Sequence, residues 1–260
     1  MNESNESIVF DRAVEYYDKT RALPAEVQAQ VTEFLVAELQ GRGLVLELGV
    51  GTGRMALPVH AGAVSLVGAD LSEPMMAKLV ENAGGTAPFP LVKADGLALP
   101  LPNDSVAAAY LCHVLHLIPR WEDVVGELVR VVAPGGVVLV DMGGQPTEVG
   151  REVMDAFSWF ADMSTPRPGC NDVDALDRTF VALGARVRLA PPITFNVDFT
   201  IAAILNRYDG NQFSSTWSLT DEARSRAVAE TRTWALERFG DLEATHSEEI
   251  AVQWRAYDLP

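Results

Sequence analysis

The sequence predicts an α/β domain in which a mostly parallel β-sheet carries helices on both faces. Short apolar or β-branched runs alternate with stretches of helical periodicity, a pattern typical of strand, helix, strand units. The chain has 260 residues, of which 48% are hydrophobic, so it can bury a substantial core. Because the sequence shows no internal repeat and no break in composition, we expect residues 1–260 to form a single domain.

The first part of the chain predicts a helical cap followed by most of the sheet. In residues 1–40, apolar side chains recur at helical spacing behind Pro24, which suits the first turn of a helix. Residues 41–146 form the predicted core, in which Ser72 is placed to cap a helix. Five strands are predicted there, at residues 44–49, 65–70, 90–95, 106–112 and 137–141.

The C-terminal part, residues 147–260, is expected to hold a helical lid insertion and the last strands. Residues 185–197 are predicted to be extended, and the alternation of apolar and polar residues in 248–259 predicts a strand at the edge of the sheet. Thr220 is placed to cap the last helix. The helices predicted in this part are residues 148–163, 172–184 and 220–239.

Composition and charge exclude several classes of function. The 36 acidic and 20 basic residues give a formal charge of −16, which disfavours nucleic acid and anionic membrane surfaces as partners. The sequence lacks both an apolar run of about 20 residues and a signal peptide, so we expect a cytoplasmic protein. The two cysteines, Cys112 and Cys170, form no CxxC pair or Cys/His cluster at ligand spacing, and neither a disulfide nor a metal site is expected. The oligomeric state stays open.

The stretch "LVLELGVGTGR" carries the strongest functional signal. Gly49, Gly51 and Gly53 lie between a strand and a helix, where bare backbone lets a nucleotide-like ligand approach the N–H groups. The dinucleotide fingerprint requires a third glycine at the position of Arg54. The carboxylate of Glu47 beside the loop suits a cationic sulfonium better than a pyrophosphate. Together these features point to S-adenosylmethionine.

Five segments in order resemble those of class I S-adenosylmethionine-dependent methyltransferases, over roughly residues 16–142. The segments are "VLELGVGTGR", "LVGAD", "VKADGLALPLPNDS", "HVLHLIPRW" and "LVRVVAPGGVVLVD". The resemblance implies a Rossmann-like sheet of seven mostly parallel strands. It also implies S-adenosyl-L-methionine as cofactor and a small organic methyl acceptor, such as one of secondary metabolism, methylated on oxygen, nitrogen or carbon.

The resemblance also assigns residues to the cofactor. Asp70 accepts the two ribose hydroxyls, while Asp95 and Gly96 hold the adenine edge. Tyr17 and Arg21 reach the cofactor carboxylate. The remaining residues line the cofactor, pack on its ring or flank its methionine part: Glu47, Gly49, Gly51, Gly53, Leu71, Met75, Cys112 and His113.

Catalytic assistance is assigned by the same resemblance to His116, after the fourth strand, and to Asp141, after the fifth. These residues can help to deprotonate the acceptor, or they can be a hydrogen-bonded core histidine and a strand-end cap. Two other functions remain open. One is a protein that binds S-adenosylmethionine without methyl transfer, and the other is a nicotinamide-dependent oxidoreductase, which Arg54 and the lack of a Tyr-x-x-x-Lys pair disfavour.

Overall fold

A computed structural model describes residues 7–143, 146–163 and 169–260, and these residues form two compact units. Unit 1 contains residues 7–143, 169–193 and 253–260, and unit 2 contains residues 146–163 and 194–252. Residues 1–6 of the expected helical cap and residues 144–145 at the end of the expected core lie outside the described residues. The single domain over residues 1–260 stays a prediction.

Unit 1 contains a seven-stranded sheet, which confirms the predicted fold class. The strands of the chain are β1 Leu44–Leu48, β2 Ser65–Asp70, β3 Leu91–Lys93, β4 Val106–Cys112, β5 Val132–Asp141, β6 Arg186–Leu189, β7 Ile193–Phe199, β8 His246–Val252 and β9 Arg255–Asp258. The order in the large sheet is β3-β2-β1-β4-β5-β9-β6, and β7 and β8 form a separate two-stranded sheet. Strands β1 to β5 pair in parallel, whereas β9 runs antiparallel to both of its neighbours.

Helices connect the strands as the alternating pattern predicts. Ser72 and Thr220 cap their helices, because their side chains accept hydrogen bonds from the N–H groups of Met75 and Ala223, each at 3.2 Å. The α-helices are α1 Tyr17–Arg21, α2 Ala25–Leu39, α3 Ala56–Ala61, α4 Glu73–Asn82, α5 Trp121–Val131, α6 Glu148–Phe160, α7 Val173–Ala182, α8 Ile201–Asp209 and α9 Asp221–Phe239.

The core of unit 1 lies around the central strands β1 and β4. Leu46 of β1 and Leu111 of β4 are completely buried, and they belong to the same apolar cluster as Leu128 of α5. Central parallel strands are covered on both faces, which explains their nearly continuous apolar sequences. The carboxyl ends of these strands are therefore fixed by packing.

The prediction that the C-terminal segment forms an edge strand is wrong. Residues 248–259 contribute to two strands, and β9 lies inside the large sheet between β5 and β6, so that β6 forms the edge. The break coincides with Trp254, which is 1% exposed and packs its ring 6.2 Å from that of Phe34. Residues 185–197 also divide, into β6 and β7, at two prolines that lack the N–H groups needed for strand pairing.

Unit 2 is built mainly from α6, α8 and α9. The rings of Phe157 and Tyr208 stack with their centroids 4.0 Å apart, and Leu205 and Ala235 are completely buried in a neighbouring apolar cluster. Trp159, in contrast, is 82% exposed. Among the described residues, no helix has the length and apolar character needed to cross a membrane.

Candidate active site

A cavity opens at the carboxyl ends of β1, β2 and β4 in unit 1, the edge at which α/β sheets bind ligands. It encloses about 760 Å³ of atom-free space, including its open mouth. Three predicted site residues, Glu47, Gly53 and Asp141, are not part of its lining. The predicted residues that line it are Tyr17, Arg21, Gly49, Gly51, Asp70, Leu71, Met75, Asp95, Gly96, Cys112, His113 and His116.

The glycine loop after β1 turns against the end of β2. The N–H group of Gly51 donates a hydrogen bond to Oδ2 of Asp70 at 2.8 Å, and the φ of +53° at Gly51 is one that favours glycine. At Gly53, φ is +81° and a Cβ atom would lie 2.7 Å from Cγ of Leu79. Gly53 therefore allows α4 to pack against the loop, whereas Gly51 itself faces the cavity.

Asp70 is positioned by the backbone at the tip of β2. Its Oδ1 accepts a hydrogen bond from the N–H group of Ser72 at 2.8 Å, in addition to the bond from Gly51. Burial raises the pKa of Asp70, and the two N–H groups oppose that shift. Because a carboxylate offers about four lone-pair positions, Asp70 keeps accepting capacity for hydroxyl groups of a ligand.

The residues that come after β2 and β3 in the chain form one wall of the cavity, and this wall contains both apolar and polar groups. Leu71 and Met75 line this wall, and the side chain of Met75 is 2% exposed. Oδ1 of Asp95 accepts a hydrogen bond from the N–H group of Leu97 at 3.0 Å, which fixes the turn that contains Gly96. This wall offers an apolar surface beside a carboxylate, as expected for a heteroaromatic ring with a polar edge.

The N-terminal segment forms another wall, which sequence reasoning did not predict in detail. Residues 7–10 line the cavity, and the N–H group of Ile8 donates to the carbonyl oxygen of Leu117 at 3.1 Å. Tyr17 and Arg21, which were predicted, also line it. The segment has no strong periodicity, so no sequence signal placed it at the cavity.

Glu47 does not face the cavity, contrary to what its position beside the loop suggested. It is 2% exposed, and the hydroxyl of Tyr110 donates to its Oε2 at 2.5 Å. The two residues are register partners on β1 and β4, so their side chains meet across the strands. Burial raises the pKa of Glu47 to about 8, and the side chain is therefore mostly uncharged at neutral pH.

His113 and Asp141 form a pair beside the cavity. Nε2 of His113 lies 3.3 Å from Oδ2 of Asp141, and their side chains are 23% and 5% exposed. Asp141 also accepts hydrogen bonds from Gly143 N–H at 2.9 Å and from the thiol of Cys112 at 3.5 Å. Burial acts to raise the pKa of Asp141, but the hydrogen bond and charge of His113 outweigh it and leave the pKa lowered.

His116 also lines the cavity, in the turn Leu115–Leu117, and is 7% exposed. The sequence assigned catalysis to His116 and cofactor contact to His113. The structure places the predicted acid, Asp141, against His113 instead. The pairing follows from the register of β4 and β5, which sets Cys112 opposite Asp141.

Cys112, His113 and Asp141 bring three potential metal-ligand atoms within 4.8 Å of one another in the described part of the chain. Nη2 of Arg54 donates to Sγ of Cys112 at 3.3 Å, so a guanidinium cation already lies against this group. Its positive charge disfavours a second cation at the same place. The sequence interpretation treated Arg54 as the residue that breaks a dinucleotide fingerprint and did not predict its place beside Cys112.

Comparisons with known proteins agree with this fold. A family model described as "Methyltransferase domain" matches residues 46–140. A demethylmenaquinone methyltransferase of Thermus thermophilus is 37% identical over 101 residues, which are 37% of this chain and 45% of that protein. An uncharacterized methyltransferase of Geobacillus kaustophilus, GK2543, is 30% identical over 153 residues, covering 56% of this chain and 67% of that protein.

Among solved structures, the YcgJ protein of Bacillus subtilis has a TM-score of 0.61 and 16% identity, and the match covers 91% of this chain and 100% of that chain. At this identity the match shows a shared fold. The chain spans less than half of the length of the Thermus relative. The sequence similarity to that relative is therefore confined to part of each protein.

Proposed function

Because this chain belongs to the class I S-adenosylmethionine-dependent methyltransferases, we propose that it transfers the methyl group of S-adenosylmethionine to a small organic acceptor. One observation carries the proposal. A single cavity is lined both by the glycine loop with Asp70 and by His113, whose ring is paired with a buried carboxylate. Groups suited to holding a nucleoside and a group suited to moving a proton thus share one site.

The residues of the cavity fit the cofactor. Asp70 keeps accepting capacity after its two backbone hydrogen bonds, as the two hydroxyls of a ribose require. Leu71 and Met75 provide an apolar surface for the adenine ring, and Asp95 lies beside it as an acceptor for the exocyclic amino group. Glu47 is hydrogen-bonded to Tyr110 of β4 and does not line the cavity, so we do not assign it to the sulfonium.

S-adenosylmethionine supplies an electrophilic methyl group on a positively charged sulfur, which a nucleophile displaces in line. The chain itself contributes positioning, because the glycine loop, β2 and the N-terminal segment hold the two reactants within one cavity. The N-terminal residues 7–10 also reduce the access of water to it. Little covalent chemistry is required of the protein.

His113 is the group we assign to the proton. Oδ2 of Asp141 lies 3.3 Å from Nε2, which favours the neutral ring with its proton on Nε2 and leaves the lone pair on Nδ1 to receive a proton from a hydroxyl, amine or acidic carbon of the acceptor. The buried, ionised Asp141 then stabilises the imidazolium that forms. The backbone N–H group of His113 also donates to the carbonyl oxygen of Asp141 at 2.9 Å, which holds the uncommon φ of +60° at His113.

The acceptor we propose is partly apolar. Ile8, Val9, Leu117 and Ile118 line the same cavity as the paired histidine. Such a lining suits a ring or short hydrocarbon group better than a highly charged metabolite. Demethylmenaquinone, named for the Thermus relative, is an acceptor with a ring and an apolar tail, and it belongs in the first set of compounds to be tested.

Calorimetric titrations with S-adenosylhomocysteine and with NAD⁺, side by side, test the cofactor. We expect S-adenosylhomocysteine to bind and Asp70→Asn to weaken it about 10- to 100-fold, because a charged acceptor is lost. Asp155→Asn is the matched control, because Asp155 is exposed in α6 of unit 2. Binding of NAD⁺ in preference to S-adenosylhomocysteine would contradict the proposal.

Label transfer tests the reaction itself. Methyl-tritiated S-adenosylmethionine is incubated with quinols, phenols, amines and carbon acids, and the extracted organic products are counted. We expect label in at least one class. Binding of S-adenosylhomocysteine without label transfer to any compound would support a binding protein that does not transfer methyl groups.

A further inference from the structure

Gly143 is the second residue after Asp141 at the end of β5, and it lies beside both members of the pair formed by His113 and Asp141. Its N–H group donates to Oδ1 of Asp141 at 2.9 Å. The other oxygen, Oδ2, lies 3.3 Å from Nε2 of His113 and accepts from the thiol of Cys112 at 3.5 Å. The bond from Gly143 therefore holds one carboxylate oxygen and leaves the other for the histidine.

This hydrogen bond determines how the carboxylate of Asp141 is turned. The terminal torsion of an aspartate has broad, nearly two-fold preferences, so the position of the two oxygens depends on their partners. The side chain is 5% exposed, which leaves little room for water to take the place of the N–H group. Burial acts to raise the pKa of Asp141, whereas the hydrogen bonds from His113 and from the N–H group of Gly143 lower it, so the carboxylate is ionised at neutral pH.

Gly143 also leaves space for the ring of His113. Its φ is +91°, a value that residues with a side chain rarely adopt. A Cβ atom at this position would lie 3.3 Å from Nε2, 3.5 Å from Cδ2 and 3.7 Å from Cε1 of His113. These three atoms form the end of the imidazole that contacts Asp141, so a side chain at Gly143 would crowd that contact.

The backbone of His113 gives the ring little freedom to avoid such a Cβ atom. Its N–H group donates to the carbonyl oxygen of Asp141 at 2.9 Å, and its φ of +60° is itself uncommon. A side chain at Gly143 would therefore displace the ring rather than the backbone, by a few tenths of an ångström. The distance of 3.3 Å between Nε2 and Oδ2 already exceeds the usual range of about 2.7–3.2 Å, so further displacement weakens the pair.

We propose that Gly143 is a positioning residue for proton transfer in the cavity. Its N–H group orients the carboxylate of Asp141, and its bare Cα atom allows the ring of His113 to contact that carboxylate. Gly143 is not part of the cavity lining, so it acts through these two side chains. The proposal rests on the proposed function, in which His113 accepts a proton from the methyl acceptor.

Kinetics of Gly143→Ala test this role, with Gly85→Ala as the matched control. Gly85 has a similar φ of +96°, but a Cβ atom there meets nothing within 4 Å. With the acceptor found by label transfer, we expect Gly143→Ala to lower kcat about tenfold or more, because small displacements of reacting groups are costly. The affinity for S-adenosylhomocysteine in both variants, and kcat in Gly85→Ala, should change by less than about threefold.

A double-variant cycle separates a positioning role from a general structural one. If Gly143 acts through His113, Gly143→Ala causes no further loss of kcat once His113→Gln has removed the ring. The same fractional loss in both backgrounds would overturn the proposal. Gly143→Asn repeats the comparison if the alanine variant does not fold, since asparagine tolerates positive φ better and still introduces a Cβ atom.

Proton NMR of the protein without ligand gives a readout that does not need an acceptor. A ring proton that is hydrogen-bonded to a buried carboxylate exchanges slowly with water and resonates far downfield. The chain has four histidines, and His113→Gln identifies the signal of this one. We expect the signal in the wild type and in Gly85→Ala, and its loss in Gly143→Ala.

Retention of the downfield signal in Gly143→Ala, or its absence from the wild type, would also overturn the proposal. Failure of the proposed function has a different signature. In that case the wild type transfers no label to any acceptor, whereas the NMR spectra still report the contact between His113 and Asp141.

Discussion

His113 is the residue whose surroundings best suit proton transfer, because its ring contacts the buried carboxylate of Asp141. We predict that His113→Gln lowers kcat by about 10²- to 10⁴-fold, the usual contribution of a positioned general base. The affinity for S-adenosylhomocysteine should change by less than about threefold, because the glycine loop and Asp70 are untouched. Initial rates with the identified acceptor, and calorimetry, measure the two effects. A larger loss of kcat for His116→Gln than for His113→Gln would return the catalytic role to His116.

The sequence alone could not decide whether His113 or His116 accepts the proton. Both lie in the segment after β4 and both line the cavity. The choice depends on Asp141, which reaches His113 through the pairing of β4 with β5. A contact between residues so far apart in the chain has no local signature, whereas the glycine loop was predicted from short-range spacing and Asp70 from the resemblance to methyltransferases.

At the level of single elements, Glu47 shows why a motif residue can be recognised and its surroundings misjudged. The motif fixed its place at the end of β1, but the direction of its side chain depends on the alternation of the strand. The neighbouring strand β4 presents Tyr110 at the paired position. The resulting hydrogen bond joins the two central strands of the sheet.

We predict that Glu47→Gln makes the stability of the protein less sensitive to pH. The pKa of Glu47 is about 8 in the folded state and about 4.5 when unperturbed. Between these values the unfolded chain loses a proton that the folded chain keeps, so this group destabilises the fold increasingly as pH rises. The glutamine side chain cannot ionise, and its amide oxygen can still accept from Tyr110.

Urea denaturation at pH 5 and pH 8 measures this effect. The free energy of unfolding of Glu47→Gln relative to the wild type should rise between the two pH values, by on the order of 2 kcal/mol. Glu33→Gln, at an exposed position of α2, should show no such trend. An equal difference at both pH values would refute a raised pKa for Glu47.

Gly53 tests the packing of α4 on the glycine loop. We predict that Gly53→Ala lowers the free energy of unfolding by roughly 1–3 kcal/mol more than Gly84→Ala. Both glycines have positive φ, +81° and +86°, but a Cβ atom at Gly84 meets nothing within 4 Å, whereas one at Gly53 meets Leu79 at 2.7 Å. Equal costs for the two variants would show that the close approach to Leu79 has no energetic consequence.

At the level of the whole molecule, local patterns predicted the parallel strands of the core but not that the C-terminal strand β9 joins the same sheet. The five parallel strands and the caps at Ser72 and Thr220 follow from short-range signals. The insertion of β9 between β5 and β6 depends on the burial of Trp254 and on pairing with residues that are distant in the chain. Periodicity carries no information on such pairings, which explains the wrong edge-strand prediction.

Arg188 joins parts of unit 1 that are distant in the chain. Its guanidinium donates to both carboxylate oxygens of Glu38 at 3.0 and 2.9 Å, and Nε donates to Oδ2 of Asp258 at 2.9 Å. We predict that Arg188→Met lowers the free energy of unfolding by about 1 kcal/mol more than Arg186→Met, because charge-assisted networks exceed single exposed pairs. The side chain of Arg186 is 76% exposed and contacts Asp258 alone among these acids.

The pH dependence of this difference gives an independent check. The hydrogen bonds and charge of Arg188 lower the pKa of Asp258 in the folded state. A lowered pKa contributes stability above the unfolded pKa, and this contribution is lost as pH falls through the folded value. Denaturation at pH 7 and pH 3 should therefore show the gap between the two variants shrinking in acid, and a gap that grows in acid would refute the network.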